Sequence, residues 1–235
     1  MRLAIISDIH SNLQALKAVM KEIEEAEVDQ IACAGDIIGY GANPNECCQI
    51  VSDTVEHAVV GNHEHAVIKN GRDRMNTEAA IASEWTADVL APSNREFLRS
   101  LRHEARFNAS SKRIAMFHGS PGRMPGCVWD YVYERPTWGG VEISEELVKS
   151  ADCDLLILGH THEPYVKKFG RRMAVNPGSV GQPRDGIPEA SFAVMDTGSW
   201  SCDIRRIAYD IRGASEAILA ARLPERLAAR LSVGE

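Results

Sequence analysis

Apolar and polar positions near the start of the chain alternate between two kinds of stretch. The short apolar runs in "RLAIIS", "DQIACAGD" and "TVEHAVVGNH" each lead into polar residues, the pattern of buried strands bounded by loops. Between the first two, "NLQALKAVMKEIEEA" sets Leu13, Leu16, Val19, Met20 and Ile23 at helical spacing. "NPNECCQIV" opens a second helix, with Asn43 as N-cap, Pro44 at the first helical position and Glu46 completing a capping box. Repeated strand-helix-strand steps predict a parallel sheet with right-handed crossovers, whose functional groups gather at the carboxyl ends of the strands.

Farther along, "NTEAAIASEWTADVL" reads as an amphipathic helix from about Asn76 to Pro92, and "NREFLRSL" as a shorter one. "KRIAMFHGS" is a strand ending in His118, "SEELVKS" a helix, and "DLLILGHTH" a strand ending in His160 and His162. Two hairpins are predicted next, one turning near Gly170 and one at Thr197 to Ser199, and an Ala- and Arg-rich helix follows Arg212. Residues 119–140, with Trp129, Tyr131, Tyr133 and Trp138, read as a long irregular loop, the kind that covers a site.

A chain of 235 residues accommodates one sizeable core, so a single domain over residues 1–235 is expected. Its net charge of −7 argues against a long nucleic acid held on a broad basic surface. The N-terminal run turns polar too soon for a signal-peptide core and no later run is long enough to span a membrane, so a cytoplasmic location without membrane association is expected. The six cysteines form no C-x-x-C pair and read as small buried hydrophobes.

The chemistry lies in the polar residues that end the strands: Asp8 and His10 in "SDIHS", Asp36 in "AGD", Asn62 and His63 in "VGNHE", His118 in "FHGS", His160 and His162 in "GHTH". The last pair, taken alone, reads equally as ligands or as loop histidines facing solvent. Five such groups in order, each at a strand end, point to a shared site. Carboxylate, imidazole and amide oxygen without thiolate suit manganese, iron, zinc or similar divalent ions. So many donors fit two ions better than one, and paired ions recur in displacement at phosphorus.

The series "DIH", "GD", "GNHE", "HG" and "GHTH" resembles the calcineurin-like metallophosphoesterase superfamily, and "NPGSVGQPRDG" at 176–186 resembles its small bacterial phosphodiesterase branch. The resemblance implies an α/β fold, a four-layer α/β/β/α sandwich of two mixed sheets flanked by helices. It implies that Asp8, His10 and His162 bind one ion, that Asn62, His118 and His160 bind a second, and that Asp36 bridges them. His63 would bind no ion but protonate the leaving oxygen. The cofactors implied are two divalent ions, manganese or iron first, with zinc, nickel or magnesium as alternatives. The reaction implied is hydrolysis of phosphodiesters or nucleotide polyphosphates by a metal-activated hydroxide, with a nucleotide or phosphoprotein monophosphatase as the rival enzyme and a non-catalytic scaffold of the same fold as a further one. Two dications outweigh the two carboxylates, so an acidic protein can still hold an anionic phosphate.

Candidate substrate contacts are Asn62, His65, Tyr40 and Arg184, and Glu64 is expected to orient a ligand imidazole. Arg123, Arg135 and Arg184 lie in loops placed to reach a second phosphate, and Trp129, Tyr131 and Tyr133 either stack on a base or pack the long loop onto the body. The expected partner is a small phosphate ester or nucleotide; homo-oligomerisation is left open.

Overall fold

The computed structural model describes residues 1–71, 75–121, 130–134 and 140–235. In chain order its elements begin with β1 (Arg2–Ile6), α1 (Leu13–Glu25), β2 (Gln30–Cys33), α2 (Pro44–Thr54), β3 (His57–Ala58), α3 (Asn62–Lys69), α4 (Thr77–Val89) and α5 (Pro92–Ser100). The middle of the chain supplies β4 (Glu104–Ala109), β5 (Lys112–Phe117), β6 (Val132–Tyr133), β7 (Val141–Glu142), α6 (Glu145–Ser150), β8 (Leu155–Ile157), β9 (Tyr165–Phe169) and β10 (Arg172–Asn176). The hairpin β11 (Ala190–Asp196) and β12 (Ser201–Ile207) leads to α7 (Ile211–Ala220), α8 (Glu225–Ala229) and a 3-10 turn, Arg230–Ser232.

Two five-stranded sheets form, ordered β12-β11-β1-β2-β3 and β4-β5-β8-β10-β9, beside a small β6-β7 pair. Within them β1, β2 and β3 run parallel, as do β5, β8 and β10, and the remaining pairings are antiparallel. The pleat sorts side chains between layers. Leu3 and Ile5 of β1 meet Ile114, Met116, Leu155, Ile157, Met173 and Val175 between the sheets. Ala4 and Ile6 point the other way, against Leu16, Val19 and Ile23 of α1 and Cys47, Cys48 and Val51 of α2. On the outer face of the second sheet, Ala115, Phe117, Leu156 and Ala174 pack on Val148 of α6. This is the α/β/β/α sandwich expected, and it brings the ends of six parallel strands to one edge.

Local signals account for most element starts. Asn12 caps α1 by accepting from the Ala15 amide at 3.1 Å, and Asn76 caps α4 by accepting from Ala79 at 2.8 Å. Asp196 accepts from the Gly198 and Ser199 amides, which makes the turn of the second hairpin. Cys33, Cys47, Cys48 and Cys153 are buried free thiols; Cys127 lies outside the described residues.

Several expectations are corrected. Asn43 stands at the N-cap of α2, but its side chain makes no capping hydrogen bond; its amide is instead held by the Ser11 carbonyl at 3.1 Å. The run "TVEHAVVGNH" supplies only two strand residues, because Gly61 caps a new helix and the Glu64 carboxylate accepts the Gly61 amide at 2.7 Å. Pro92 begins α5 as well as ending α4. The final helix divides at Leu223 and Pro224, since proline cannot donate to the preceding turn. β4 was unforeseen, as its alternation of exposed and half-buried residues in "EARFNA" is that of a sheet edge.

Candidate metal centre

The parallel strand ends deliver the donors. Asp8 follows β1, Asp36 follows β2, Asn62 and His63 open α3 just after β3, His118 follows β5, and His160 and His162 follow β8. Asp8, His10, Asp36, His63, His118, His160 and His162 are all buried, the most accessible at 6 %. Asp8, His10, Asp36, His160 and His162 adopt left-handed backbone conformations, with φ between 50° and 70°. Each costs of order 1 kcal/mol or more, a strain that persists where surrounding structure imposes it.

Hydrogen bonds made away from the centre decide which atoms face it. The ring nitrogens Nδ1 of His10, His118 and His162 lie against the main-chain carbonyls of Ile38 at 3.2 Å, Ala34 at 2.7 Å and Gln182 at 2.5 Å. A carbonyl only accepts, so each Nδ1 carries a proton and each ring turns its Nε2 inward; in His10 and His162, which burial keeps neutral, that Nε2 presents a lone pair. His10 Nε2 and His162 Nε2 are 3.0 Å apart. Asp8 Oδ1 lies 3.7 Å from the former and 3.2 Å from the latter.

Two facing lone pairs beside a carboxylate form a poor neutral contact and a good cation site. The Asp8 carboxylate supports this: Oδ2 accepts from Ser7 Oγ at 2.6 Å and from the His160 amide at 3.0 Å, whereas Oδ1 is buried without a hydrogen-bond partner among the described residues. Such an orphaned atom is costly unless a ligand satisfies it. The residues present therefore fit a divalent ion.

Asp36 stands between two groups of donors. Its Oδ1 accepts from the His63 amide at 2.9 Å, while Oδ2 lies 3.7 Å from His10 Nε2 and 3.2 Å from His118 Nε2. His118 Nε2 is also 3.1 Å from Asn62 Oδ1. Asp8, His10 and His162 form one compact donor group, Asp36, His118 and His160 a second, and His10, Asp36 and His63 a third. His63 thus lies close enough to ligate, and its Nδ1 is buried without a hydrogen-bond partner.

Burial dominates the electrostatics. It pulls His63 down to about 4 and His160 to about 3, and it lowers His10 and His162. His118 is the exception: burial opposes its charge, but the Asp36 carboxylate prevails and raises it to about 9. Burial likewise opposes the carboxylates of Asp8 and Asp36, yet the imidazoles around them hold both below the usual range.

Glu64 departs from its expected role. Rather than orienting an imidazole, its carboxylate accepts from the amides of Asp36 at 2.9 Å, Ile38 at 3.0 Å and Gly61 at 2.7 Å, tying the Asp36 loop to the start of α3. Burial and the nearby Asp36 charge push it up to about 7, against these three donors. Two glycines make room there. A Cβ on Gly61 would collide with the Asp36 carboxylate, and one on Gly39 (φ 95°) with the His63 ring.

The segment 176–182 holds the site from behind. Asn176 ends β10 as the other polar residues end their strands; its Nδ2 donates to the Gly159 carbonyl at 2.9 Å and to Thr161 Oγ1 at 3.0 Å. Ser179 Oγ donates to the Asp8 carbonyl at 2.7 Å, and the Gln182 carbonyl receives His162 Nδ1. Sequence reasoning noted this run only as a resemblance, although the strand-end rule that found His118 would have found Asn176.

The proposed substrate contacts fall in different places. Tyr40 is buried with its ring centroid 4.7 Å from that of His10 and 4.5 Å from that of His63. Arg184 Nη2 donates to the Tyr40 hydroxyl at 3.4 Å. His65, half-buried, has Gly71, His103 and Lys69 beside it among the described residues and belongs to none of the donor groups. Tyr131 stacks on His160 with centroids 4.0 Å apart, and Tyr133 stacks on Tyr131 at 5.8 Å. Arg123, Trp129 and Arg135 lie outside the described residues.

Two mixed sheets carrying an Asp, His and Asn cluster at their shared edge place this chain in a definite class. It belongs to the calcineurin-like phosphoesterase superfamily, whose domain model matches residues 1–199. Among curated proteins it is 38% identical to the uncharacterized protein MJ0912 of Methanocaldococcus jannaschii, over 99% of this chain and 98% of that one. It is 25% identical to the phosphodiesterase YfcE of Escherichia coli strain K12, over 83% of this chain and 88% of the relative. Among solved structures, a metallophosphoesterase from Sphaerobacter thermophilus superposes with a TM-score of 0.79 at 32% identity, over 100% of this chain and 99% of that one. Among the described residues no helix is long and apolar enough to cross a membrane.

Proposed function

We propose that residues 1–235 act as one metal-dependent phosphoesterase domain that hydrolyses phosphodiesters or nucleotide polyphosphates, in the cytoplasm and on small substrates. The observation that carries this reading is the convergence of three inward Nε2 atoms on the oxygens of Asp8 and Asp36, one of which is orphaned among the described residues. Family membership supports phosphoester chemistry, and the likeness to YfcE supports the diester preference.

In this reading Asp8, His10 and His162 hold one divalent ion, Asn62, His118 and His160 hold another, and Asp36 bridges them. Manganese or iron is the expected occupant, since the donor set is nitrogen and oxygen without sulfur. Bound there, two ions would supply a hydroxide at neutral pH and positive charge for the phosphoryl oxygens. The protein's own part is to orient and to move a proton. Main-chain carbonyls fix the imidazole tautomers, and Asp36 holds the amide of His63.

His63 is the proton donor to the leaving oxygen. Burial keeps it neutral in the free protein, and an anionic phosphate beside it favours the protonated ring. Tyr40 confines the ring on one side, and the missing Cβ of Gly39 leaves space for it on another.

The test compares hydrolysis of bis-p-nitrophenyl phosphate with p-nitrophenyl phosphate by chelator-stripped protein reloaded with manganese, with Asp36→Asn as control. Faster metal-dependent turnover of the diester, absent in the variant, is the expected result. Preference for the monoester would overturn the diester assignment in favour of a monophosphatase. Manganese binding without turnover of either would remove the enzymatic reading for these ester classes.

A further inference from the structure

Beside Tyr40 stand two guanidinium groups. Arg184 lies 5.9 Å from the ring centre and Arg230 6.0 Å. They come from distant parts of the chain: Arg184 follows the 176–182 segment, and Arg230 begins the 3-10 turn, beyond the residues that the family model matches. That turn packs with α7 and α8 through Leu231, Ile218 and Leu227 in the same apolar cluster as Tyr40. Both arginines are half-buried.

Their hydrogen bonds leave donors in hand. Arg184 Nη2 reaches the Tyr40 hydroxyl at 3.4 Å and Gln182 Oε1 at 3.1 Å, while its Nε is buried without a partner. Arg230 Nε donates to the main-chain oxygen of Glu235. Among the described residues neither guanidinium has a carboxylate side chain within ion-pair distance. Asp185, next to Arg184, is taken by Arg206, and Glu78 by Arg226. Glu163 lies near enough to feel Arg184, and Glu235, besides accepting from Arg230 through its main-chain oxygen, places its side-chain charge near Arg230.

Two cations beside one ring oppose each other, and an anion between them would relieve both. A guanidinium fork matches the oxygens of a phosphate better than any other side chain does. His63 touches the same Tyr40 ring, so a group that departs next to His63 departs beside the ring that Arg184 and Arg230 flank.

We propose that Arg184 and Arg230 form a subsite for an anionic leaving group, and that the substrates cleaved best are those whose departing half carries its own phosphate, as in a nucleoside polyphosphate. The inference rests on the phosphoesterase reading above with His63 as proton donor. Water adds across the P–O–P link. Its oxygen bonds to the phosphorus at the donor cluster, the bridging P–O bond breaks with its electron pair going to the departing phosphate, and His63 gives that oxygen a proton which the water replaces.

The first measurement is calorimetric titration of inorganic pyrophosphate into metal-stripped protein, which reads the subsite without catalysis. Wild-type protein is expected to bind at least tenfold more tightly than Arg184→Gln or Arg230→Gln, with Arg230→Lys between them because charge survives and the fork does not. Thermal melts of each variant verify folding. Equal affinity in all four, or no binding by the wild type, would overturn the subsite.

The second measurement is the ratio of kcat/KM for diadenosine tetraphosphate over bis-p-nitrophenyl phosphate with manganese bound. Each Gln variant is expected to lower that ratio at least tenfold. A protein that cleaves the diester with a ratio indifferent to both arginines refutes the subsite and keeps the phosphoesterase reading. One that binds pyrophosphate through the arginines yet cleaves neither compound refutes the enzymatic reading and keeps the anion site.

Discussion

Around Asp8, His10 and His162 the donor cluster is locked from behind by main chain, whereas around Asp36, His118 and His160 it is overlaid by an aromatic ring. His10 and His162 have their outer nitrogens on the carbonyls of Ile38 and Gln182, and the Asp8 backbone is gripped by Ser179 and by the amide of Gly181. In the other half, His118 is locked on Ala34, but His160 lies under Tyr131, which is 39% exposed. Tyr40, with its two guanidinium neighbours, belongs to the first half. One half is therefore built as a rigid, polar frame with a cationic margin, and the other as a donor set beneath an aromatic surface open to solvent. If the cluster holds the two ions proposed above, the first half is expected to bind its ion more tightly and the second to admit the substrate.

Asp36 joins the halves, so its loss should affect both. Asp36→Asn is expected to lose bound metal by elemental analysis and to lower turnover by about 10³-fold or more, the scale of a lost electrostatic stabiliser. Full metal content with near-normal rate would show that the halves work independently.

His63→Gln probes the cationic margin of the first half alone. It should keep its metals and lose roughly 10² to 10⁴-fold in rate on esters with poor leaving groups, and less on p-nitrophenyl esters. A uniform loss across leaving groups would instead make His63 a ligand, as its proximity to His10 and Asp36 allows.

Asn176→Ala removes the support behind "GHTH", where Asn176 donates to Gly159 and Thr161. Metal affinity should fall by roughly 10 to 100-fold, as for other groups that orient ligands. A loss confined to one equivalent of metal would sharpen the division, and an equal loss from both would blur it.

The smallest effect concerns pH in metal-stripped protein. His63 at about 4 and His160 at about 3 lie below the unfolded value of 6.5, so the unfolded chain binds more protons and stability falls as pH drops below about 6.5. His118 at about 9 lies above it, so its stabilisation is complete below about 6.5 and is lost as pH rises through 9. Each proton contributes a slope of about 1.4 kcal/mol per pH unit. Urea melts should therefore find maximum stability near pH 6.5, and a flat profile between pH 5 and 9 would contradict the burial assigned to these rings.

The strand ends were legible in sequence because a buried parallel strand must be apolar and the residue that follows it need not be. That contrast marks Asp8, Asp36, Asn62, His118 and His160 within their own segments and predicts a parallel sheet; the two-sheet sandwich came only from the family resemblance. Helix α3 was not legible, since its first turn, "NHEH", is polar and its cap is a glycine whose role depends on Glu64 folding back. Nor was the edge strand β4, whose apolar face is only Ala105, Phe107 and Ala109 and is half-buried over most of its length. Asn176 was readable but unread, as its strand enters from a hairpin rather than from a crossover.

Other features have no local signature at all. The left-handed backbone at Asp8, His10, Asp36, His160 and His162 is imposed by amides and carbonyls of remote segments. The orphaned oxygen of Asp8 exists because Ser7 and the amide of His160, 152 positions away, claim the other one. The meeting of Arg184 with Arg230 at Tyr40 depends on how α7 and α8 pack. Periodicity and residue type act within a few residues, so they determine which donors exist and which edge of the sheet receives them. Which lone pair faces inward, which carboxylate oxygen is left unpaired and which cations share a ring are settled only when distant segments close on one another.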